Sequence, residues 1–193
     1  MGVIKTALEI ALERTENLKS DKSSIEQFEA KQRGKKIANA FLAGEADLAE
    51  EIKKTKAPQR ENFKQGIFDV LVCQIALPAG KDDEKRIELA GKGLQAVIKN
   101  NSFSAMFKQL TGVFSQYLQE VSHFDKAIRQ QYAPKLRQKE EEVSRRLGRE
   151  VRIDPFQDPE FVAFYNQNMS ALKGNYEEIV EQAREEIRRL FNE

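Results

Sequence analysis

The chain has 193 residues, of which 40% are hydrophobic and 33% are charged, and its formal net charge is +1. This composition predicts a soluble protein with a sizeable core, and the small net charge excludes an overall field that would attract nucleic acid or an anionic membrane. The single cysteine, Cys73, excludes an internal disulfide and a metal site built from several cysteines, as is typical of a cytoplasmic protein.

Residues 1–56 predict an N-terminal amphipathic helix or a bent pair of helices. Apolar residues recur at three- and four-residue steps, among them Ile4, Leu8, Leu18, Ile37, Phe41 and Ile52. Ser23 and Glu26 fit a capping box, which predicts a bend or a new helix near residues 19–22. The opening MGVIKT matches an N-terminal acylation pattern with Gly2 as acceptor, but the pattern has low specificity and an unmodified terminus is the simpler interpretation. No stretch of the chain approaches the roughly 18 uninterrupted apolar residues of a membrane-spanning helix.

Residues 57–125 predict the core of a helical bundle. The stretch from Glu61 to Leu77 is apolar on nearly every side, which is typical of a central helix. Its β-branched residues would also suit a strand, but only residues 151–153 offer a pairing partner, so a helix is favoured. Cys73 lies in this stretch and is expected to pack as a small hydrophobic side chain. A further helix is predicted to start at the acidic cluster around Asp82.

Two long segments, from about residue 102 to 147 and from 158 to 191, carry apolar residues at heptad-like spacing. On the first segment they are Phe103, Phe107, Leu110, Phe114, Tyr117, Val121, Phe124 and Ile128. On the second they are Phe161, Tyr165, Met169, Leu172, Tyr176, Ile179, Ala183, Ile187 and Leu190. Gly148 ends the first helix, and Asp158 followed by Pro159 starts the second as N-cap and first helical residue. The two segments therefore predict an antiparallel hairpin.

The predicted fold is all-α, an antiparallel helical bundle with a long protruding hairpin that resembles a coiled coil in its spacing. A helix from 102 to 147 is about 70 Å long, whereas a globule of this size is about 40 Å across, so the hairpin is expected to protrude. The predicted regions are 1–56, 57–125 as the bundle core, and 126–193 as the hairpin arm with its tip at 148–160. They are expected to fold as one cooperative unit.

No catalytic, cofactor-binding or metal site is predicted. Glu120 and His123 form one Glu-x-x-His step, but a di-iron site in a four-helix protein needs two such steps and two further glutamates. The chain has one histidine, so a packing or surface role is favoured. A catalytic pair of Cys73 and His123 would require two isolated residues to meet in the fold, and no phosphate loop or dinucleotide fingerprint is present.

A basic stretch runs from Lys126 to Arg152, with nine Lys or Arg residues against four Glu. With the hairpin centred near residues 152–154, Glu177–Glu181 are expected to lie opposite Lys126–Arg129 and to neutralise part of this charge. The remainder offers a candidate nucleic-acid surface, comprising Arg137, Lys139, Arg145, Arg146 and Arg149. No aromatic residues interleave for base stacking, so a solvated helix face is favoured.

The tip carries the candidate partner-binding residues Val151, Ile153 and Phe156, flanked by Arg149 and Arg152. These apolar side chains either fold inward as a local core or form an exposed interaction patch. The sequence thus predicts a non-enzymatic scaffold or protein-interaction module that docks a protein partner through bundle grooves or the hairpin tip. The alternative is a nucleic-acid-associated helical protein that uses residues 126–152. Self-association to a homo-oligomer is also expected to be accessible, because long amphipathic helices tend to pair.

Overall fold

A computed structural model describes the backbone of residues 7–193 and the side chains of residues 23–193, so Gly2 lies outside the described residues. Within this part the chain is helical with no strand, which confirms the all-α prediction. Its elements are α1 (Ala7–Leu42), α2 (Leu48–Lys54), α3 (Ala57–Val72), α4 (Lys81–Val97), α5 (Ser102–Leu147), a 3-10 turn (Pro155–Gln157) and α6 (Pro159–Asn192). Among the described residues, no helix is both long enough and apolar enough to cross a bilayer.

The helices form two compact units. Unit 1 contains the described residues up to Ile75, together with Arg86–Phe103 and Leu190–Glu193. Unit 2 contains Ala76–Lys85 and Ser104–Arg189, and therefore most of α5 and α6. Both candidate surfaces predicted from the sequence, the basic stretch and the tip, lie in unit 2.

In unit 1, α1 and α3 approach each other at two glycines. A Cβ atom on Gly34 would lie 2.1 Å from the backbone oxygen of Phe63, and one on Gly66 would lie 2.0 Å from the backbone oxygen of Lys31. Ala38, one turn after Gly34, is fully buried. The helices are thus in backbone contact at a point where only hydrogen fits between them. The sequence around Gly34 is polar on all sides and gave no indication of this contact.

The predicted bend near residues 19–22 is wrong, because α1 is one continuous helix through Ser23 and Glu26. Polar residues on a solvated helix face do not stop a helix when neither proline nor a cap geometry interrupts it. The break comes later, at residues 43–47. There Gly44 adopts a φ of 79°, and Asp47 caps α2 by accepting a hydrogen bond from the Glu50 backbone N–H.

The apolar stretch from Glu61 forms the helix α3, as predicted, and it ends earlier than expected. Phe63, Ile67 and Leu71 lie at helical spacing and are buried almost completely. Cys73 follows the last residue of α3 as its C-cap and is exposed, so the prediction that it packs as a small hydrophobic side chain is wrong. A residue at a helix end no longer follows the burial pattern of the helix, which explains the error.

In unit 2, α5 and α6 run antiparallel. The rings of Tyr117 and Tyr176 lie 5.0 Å apart, and those of Tyr132 and Phe161 lie 5.2 Å apart. Each pair of contacts is therefore separated by 15 residues on both helices, in opposite directions. Helix α5 continues through Pro134 without a break in its assigned span.

This register overturns the predicted pairing of Glu177–Glu181 with Lys126–Arg129. Residues that face each other have numbers that add to about 293, as in the two ring pairs, so Glu177 lies at the level of residue 116. The prediction placed the centre of the hairpin near residues 152–154 because it assumed that both helices continue to a short turn. The connection is instead 11 residues long, from 148 to 158.

The apolar faces differ from the predicted heptads at two positions. On α6, Val180 is buried and Ile179 is 41% exposed, because the step of four from Tyr176 follows the helical period more closely than the predicted step of three. On α5, Phe124 is also partly exposed. Leu172, Tyr176 and Tyr117 form a buried cluster against which Leu77 packs.

Candidate functional site

The connection between α5 and α6, residues 148–158, is the segment that the sequence analysis singled out as the tip. Gly148 has a φ of 66° and donates its backbone N–H to the Ser144 oxygen, which ends α5 as predicted. The chain then reverses and runs back beside α5. The Val151 N–H donates to Ser144 Oγ at 2.9 Å, and the Ile153 N–H donates to Glu140 Oε1 at 2.9 Å. Two polar side chains of α5 therefore hold the segment in place.

Residues 149–154 have the burial pattern of an extended chain. Val151 and Ile153 are half-buried, whereas the alternate residues Glu150, Arg152 and Asp154 are exposed. The two N–H groups that face α5 are also two residues apart. A period of two in both burial and hydrogen bonding is typical of an extended strand with one side against its support.

A 3-10 turn, Pro155–Gln157, redirects the chain into α6. Asp154 starts it, since its Oδ1 accepts the Phe156 N–H at 3.0 Å and its backbone oxygen accepts the Gln157 N–H. Phe156 packs edge-on against Phe161, with ring centroids 5.3 Å apart, and the Arg129 guanidinium lies 4.9 Å from its ring centre. The ring nevertheless stays 46% exposed. Phe156 is thus partly core and partly surface.

Asp158 ties the start of α6 to α5. Its carboxylate caps the helix by accepting the Glu160 N–H at 3.1 Å, accepts the Tyr132 hydroxyl at 2.9 Å, and accepts Lys139 Nζ at 2.7 Å. Lys139 also contacts Glu160 at 2.5 Å, and Lys135 contacts Glu160 at 3.0 Å. The Asp158 side chain is only 5% exposed, so a buried carboxylate has all the partners that it requires.

The ion pairs in this network shift the pKa values away from neutrality. The hydrogen bond from Lys139 holds the pKa of Asp158 below its ordinary value, and Lys139 followed by Lys135 lowers the pKa of Glu160. The hydrogen bond to Asp158 raises the pKa of Lys139. Burial, followed by the hydrogen bond to Asp158, raises the pKa of the Tyr132 hydroxyl. All four groups therefore keep one protonation state near pH 7.

These shifts predict a pH-dependent stability. Asp158→Asn keeps a capping side chain but loses the charge, so we expect its midpoint of thermal unfolding to lie about 3–6 °C below wild type at pH 7. A carboxylate with a lowered folded pKa stabilises the fold above its unfolded pKa, near 3.8, and loses this effect as the pH falls through the folded value. The difference between the two proteins should thus persist above pH 5 and shrink below pH 4, in thermal melts at each pH.

Asp154→Asn is the matched control. Asp154 also caps a helical turn in the same connection, but no Lys or Arg of the described chain forms an ion pair with it. Its replacement should therefore leave the midpoint nearly unchanged from pH 7 to pH 3. A constant difference between Asp158→Asn and wild type over this range would contradict the assigned ion pair.

The residues of the candidate nucleic-acid surface are largely engaged with neighbouring acids. Lys139 belongs to the Asp158 network, Arg145 lies 3.7 Å from Glu141, and Arg146 lies 2.6 Å from Glu142. Arg137 and Arg149 form no ion pair within the part of the chain that the structure describes, and both are exposed. From residue 125 to residue 160, nine basic residues face eight acidic ones. The stretch is therefore nearly neutral once the connection folds back.

His123 is exposed, and the described residues contain no group of His, Cys, Asp or Glu side chains arranged to hold a metal ion. Glu120, its neighbour in the Glu-x-x-His step, instead accepts Gln116 Nε2 at 3.0 Å. The Tyr176 hydroxyl also bonds Glu120, and burial together with this bond raises the pKa of the hydroxyl. Glu120 therefore connects α5 to α6.

Residues 49–189 match DUF6657, which is described as a family of unknown function. The chain belongs to this family. No curated protein and no solved structure matches the chain. The DUF6657 region includes the whole connection and its supports on α5, whereas nearly all of α1 precedes it.

Within the DUF6657 region, the sequence analysis identified the surface residues of the connection but missed most of its supports. Asp158 was predicted as an N-cap from its position before Pro159. Glu140, Ser144 and Tyr132 were not predicted, because their roles depend on the connection folding back along α5. The excess of polar residues after Tyr132, where the apolar stripe narrows, was the one available signal that α6 does not cover this end of α5.

Proposed function

We propose that this protein is a non-enzymatic helical scaffold that docks a protein partner through the end of the α5–α6 hairpin. We define this docking surface as Leu147, Arg149, Val151, Arg152, Ile153 and Phe156. We further propose the finer architecture expected from the sequence, an antiparallel helical bundle with a long hairpin that acts in the cytoplasm. Pairing of two copies through a hairpin seam remains part of the same proposal.

The observation that carries the proposal is the exposed apolar surface at this end. Leu147 is 56% exposed and Phe156 is 46% exposed, on a short segment fixed by hydrogen bonds at Ser144, Glu140 and Asp158. Exposed apolar side chains on a held backbone lose little conformational freedom on binding. Aromatic residues with a ring already packed on one side are frequent anchors of protein interfaces.

Two further observations favour a docking role over chemistry or nucleic-acid binding. The one buried polar network of this end, around Asp158, has pKa values displaced away from pH 7, whereas a general acid or base works best with a pKa near it. The nearly equal numbers of basic and acidic residues from 125 to 160 leave little net charge for phosphates.

Site-specific photo-crosslinking tests the proposal. A photoreactive side chain at position 147 should capture one protein in an extract of the source cells, and the same group at position 179 should not. Ile179 is a suitable control because it is also an apolar residue of unit 2 with comparable exposure, on α6. Once the captured protein is purified, Leu147→Glu should weaken its binding to the chain at least tenfold.

Ile179→Glu should bind that partner as tightly as wild type does, and thermal melts should show that both variants fold. Identical proteins captured from positions 147 and 179 would contradict a docking surface at the connection. Capture of RNA or DNA alone from position 147 would favour the nucleic-acid alternative and remove this one.

A further inference from the structure

The extended part of the connection has one backbone edge that faces away from α5. Because the N–H groups of Val151 and Ile153 point at α5, strand alternation directs the backbone N–H and C=O of Arg152 and Glu150 to the opposite side. The Arg152 backbone forms no hydrogen bond within the described part of the chain. An edge of this kind can accept another extended chain through main-chain hydrogen bonds.

Three arginines surround this edge with little local neutralisation. Arg137 and Arg149 have no ion-pair partner among the described residues. Arg152 lies 3.8 Å from Glu150, with both side chains more than 80% exposed, so this contact contributes little. An open groove between α5 and the segment is lined by Arg137, Glu141, Val151 and Arg152. Guanidinium groups that lack strong partners favour a ligand that brings carboxylates.

We infer that the docking surface binds a short extended peptide segment that carries Asp or Glu next to apolar residues. The segment pairs with the outer edge of residues 150–154 as an added strand. Its carboxylates contact Arg149 and Arg152, and an apolar side chain packs beside the exposed Leu147. This inference rests on the proposed docking function and specifies the partner's conformation and charge.

Selection from displayed random 12-residue peptides against the full-length protein supplies the probe. We expect enriched peptides to contain Asp or Glu and apolar residues at alternate positions. A synthetic peptide from the selection, methylated at one backbone nitrogen at a time, should lose at least tenfold in affinity at every second position. A period of two is the property of a paired strand, whereas a bound helix would give a period of three to four or no regular effect.

Variants at position 152 separate the backbone from the side chain. Arg152→Ala removes the charge and keeps the N–H, whereas Arg152→Pro removes both and suits an extended segment. We expect Arg152→Pro to bind the peptide about tenfold more weakly than Arg152→Ala does, the effect of one hydrogen bond. Arg149→Glu should weaken binding at least tenfold, and thermal melts verify that all three variants fold.

Equal affinities of the Arg152→Pro and Arg152→Ala proteins, or methylation effects without a period of two, would overturn the inference. It is also overturned if no peptide is enriched, or if the enriched peptides are basic. The docking function would survive these results if position 147 still captured a protein and Leu147→Glu still abolished its binding. Failure of the crosslinking experiment together with successful peptide selection would instead restrict the function to peptide recognition.

Discussion

Alanine at Gly34 or Gly66 is expected to destabilise unit 1 by about 3 kcal/mol, at the upper end of the cost of overpacking. The added Cβ would meet a backbone oxygen at 2.1 Å or 2.0 Å, and neither backbone can move without displacing its whole helix. Alanine favours a helix over glycine by roughly 1 kcal/mol, which is too little to offset the separation of α1 from α3. Urea unfolding followed by circular dichroism measures the change.

Two other helical glycines provide matched controls. A Cβ atom on Gly112 of α5 or Gly174 of α6 would meet no atom within 4 Å. Alanine at either position should therefore stabilise the protein by about 0.5–1 kcal/mol through helix propensity alone. The double variant of Gly34 and Gly66 should lose less than the sum of the two single changes, because the first already separates the helices. A stabilising effect of Gly34→Ala would show that the helices do not touch there.

Local signals predicted the helix ends correctly where the chemistry is contained in a few adjacent residues. Gly148 ends α5 because glycine reaches a positive φ without strain, and Asp158 with Pro159 starts α6 because a carboxylate caps the first turn. Asp154 with Pro155 likewise begins a tight turn. The all-α fold followed from the spacing of apolar residues, which needs no information about neighbours.

Features that depend on a second segment of chain were not predictable in the same way. The register of α5 against α6 follows from the 11 residues of the connection running back along α5, and no periodicity encodes that path. The contact of Gly34 with Phe63 is similar, since a glycine in a polar stretch carries no sign of the helix that covers it. Cys73 was misplaced because α3 ends one residue before it.

The candidate site shows both cases in one segment. Its apolar residues Val151, Ile153 and Phe156 stood out in the sequence because two Asp-Pro steps isolate them from the helices. Whether they face inward or outward was left open, and in the structure each is divided between the two. Val151 and Ile153 are half-buried against α5, while the Phe156 ring packs on Phe161 and remains partly exposed.

Alanine at Phe161 is expected to have the largest effect of any single change in unit 2, a loss of about 4 kcal/mol in the free energy of unfolding. Phe161 is fully buried, and its ring contacts Tyr132, Phe156 and Tyr165 within 5.2–5.7 Å. Its removal leaves a cavity at the point where α5, α6 and the 3-10 turn meet. Urea unfolding, compared with that of the partly exposed Phe124→Ala, for which we expect a loss of about 1 kcal/mol, measures the difference.

The same variant links the stability of this cluster to the proposed docking surface. Phe156 rests on Phe161, so loss of the Phe161 ring should release the connection from α5 before the protein unfolds globally. The amide hydrogens of Val151 and Ile153, which donate to Ser144 and Glu140, should then exchange at least tenfold faster in Phe161→Ala than in Phe124→Ala under native conditions. Unchanged exchange at these two amides would mean that the hydrogen bonds to α5 hold the segment without its aromatic anchor, and the pre-formed edge would then depend on Glu140 and Ser144 alone.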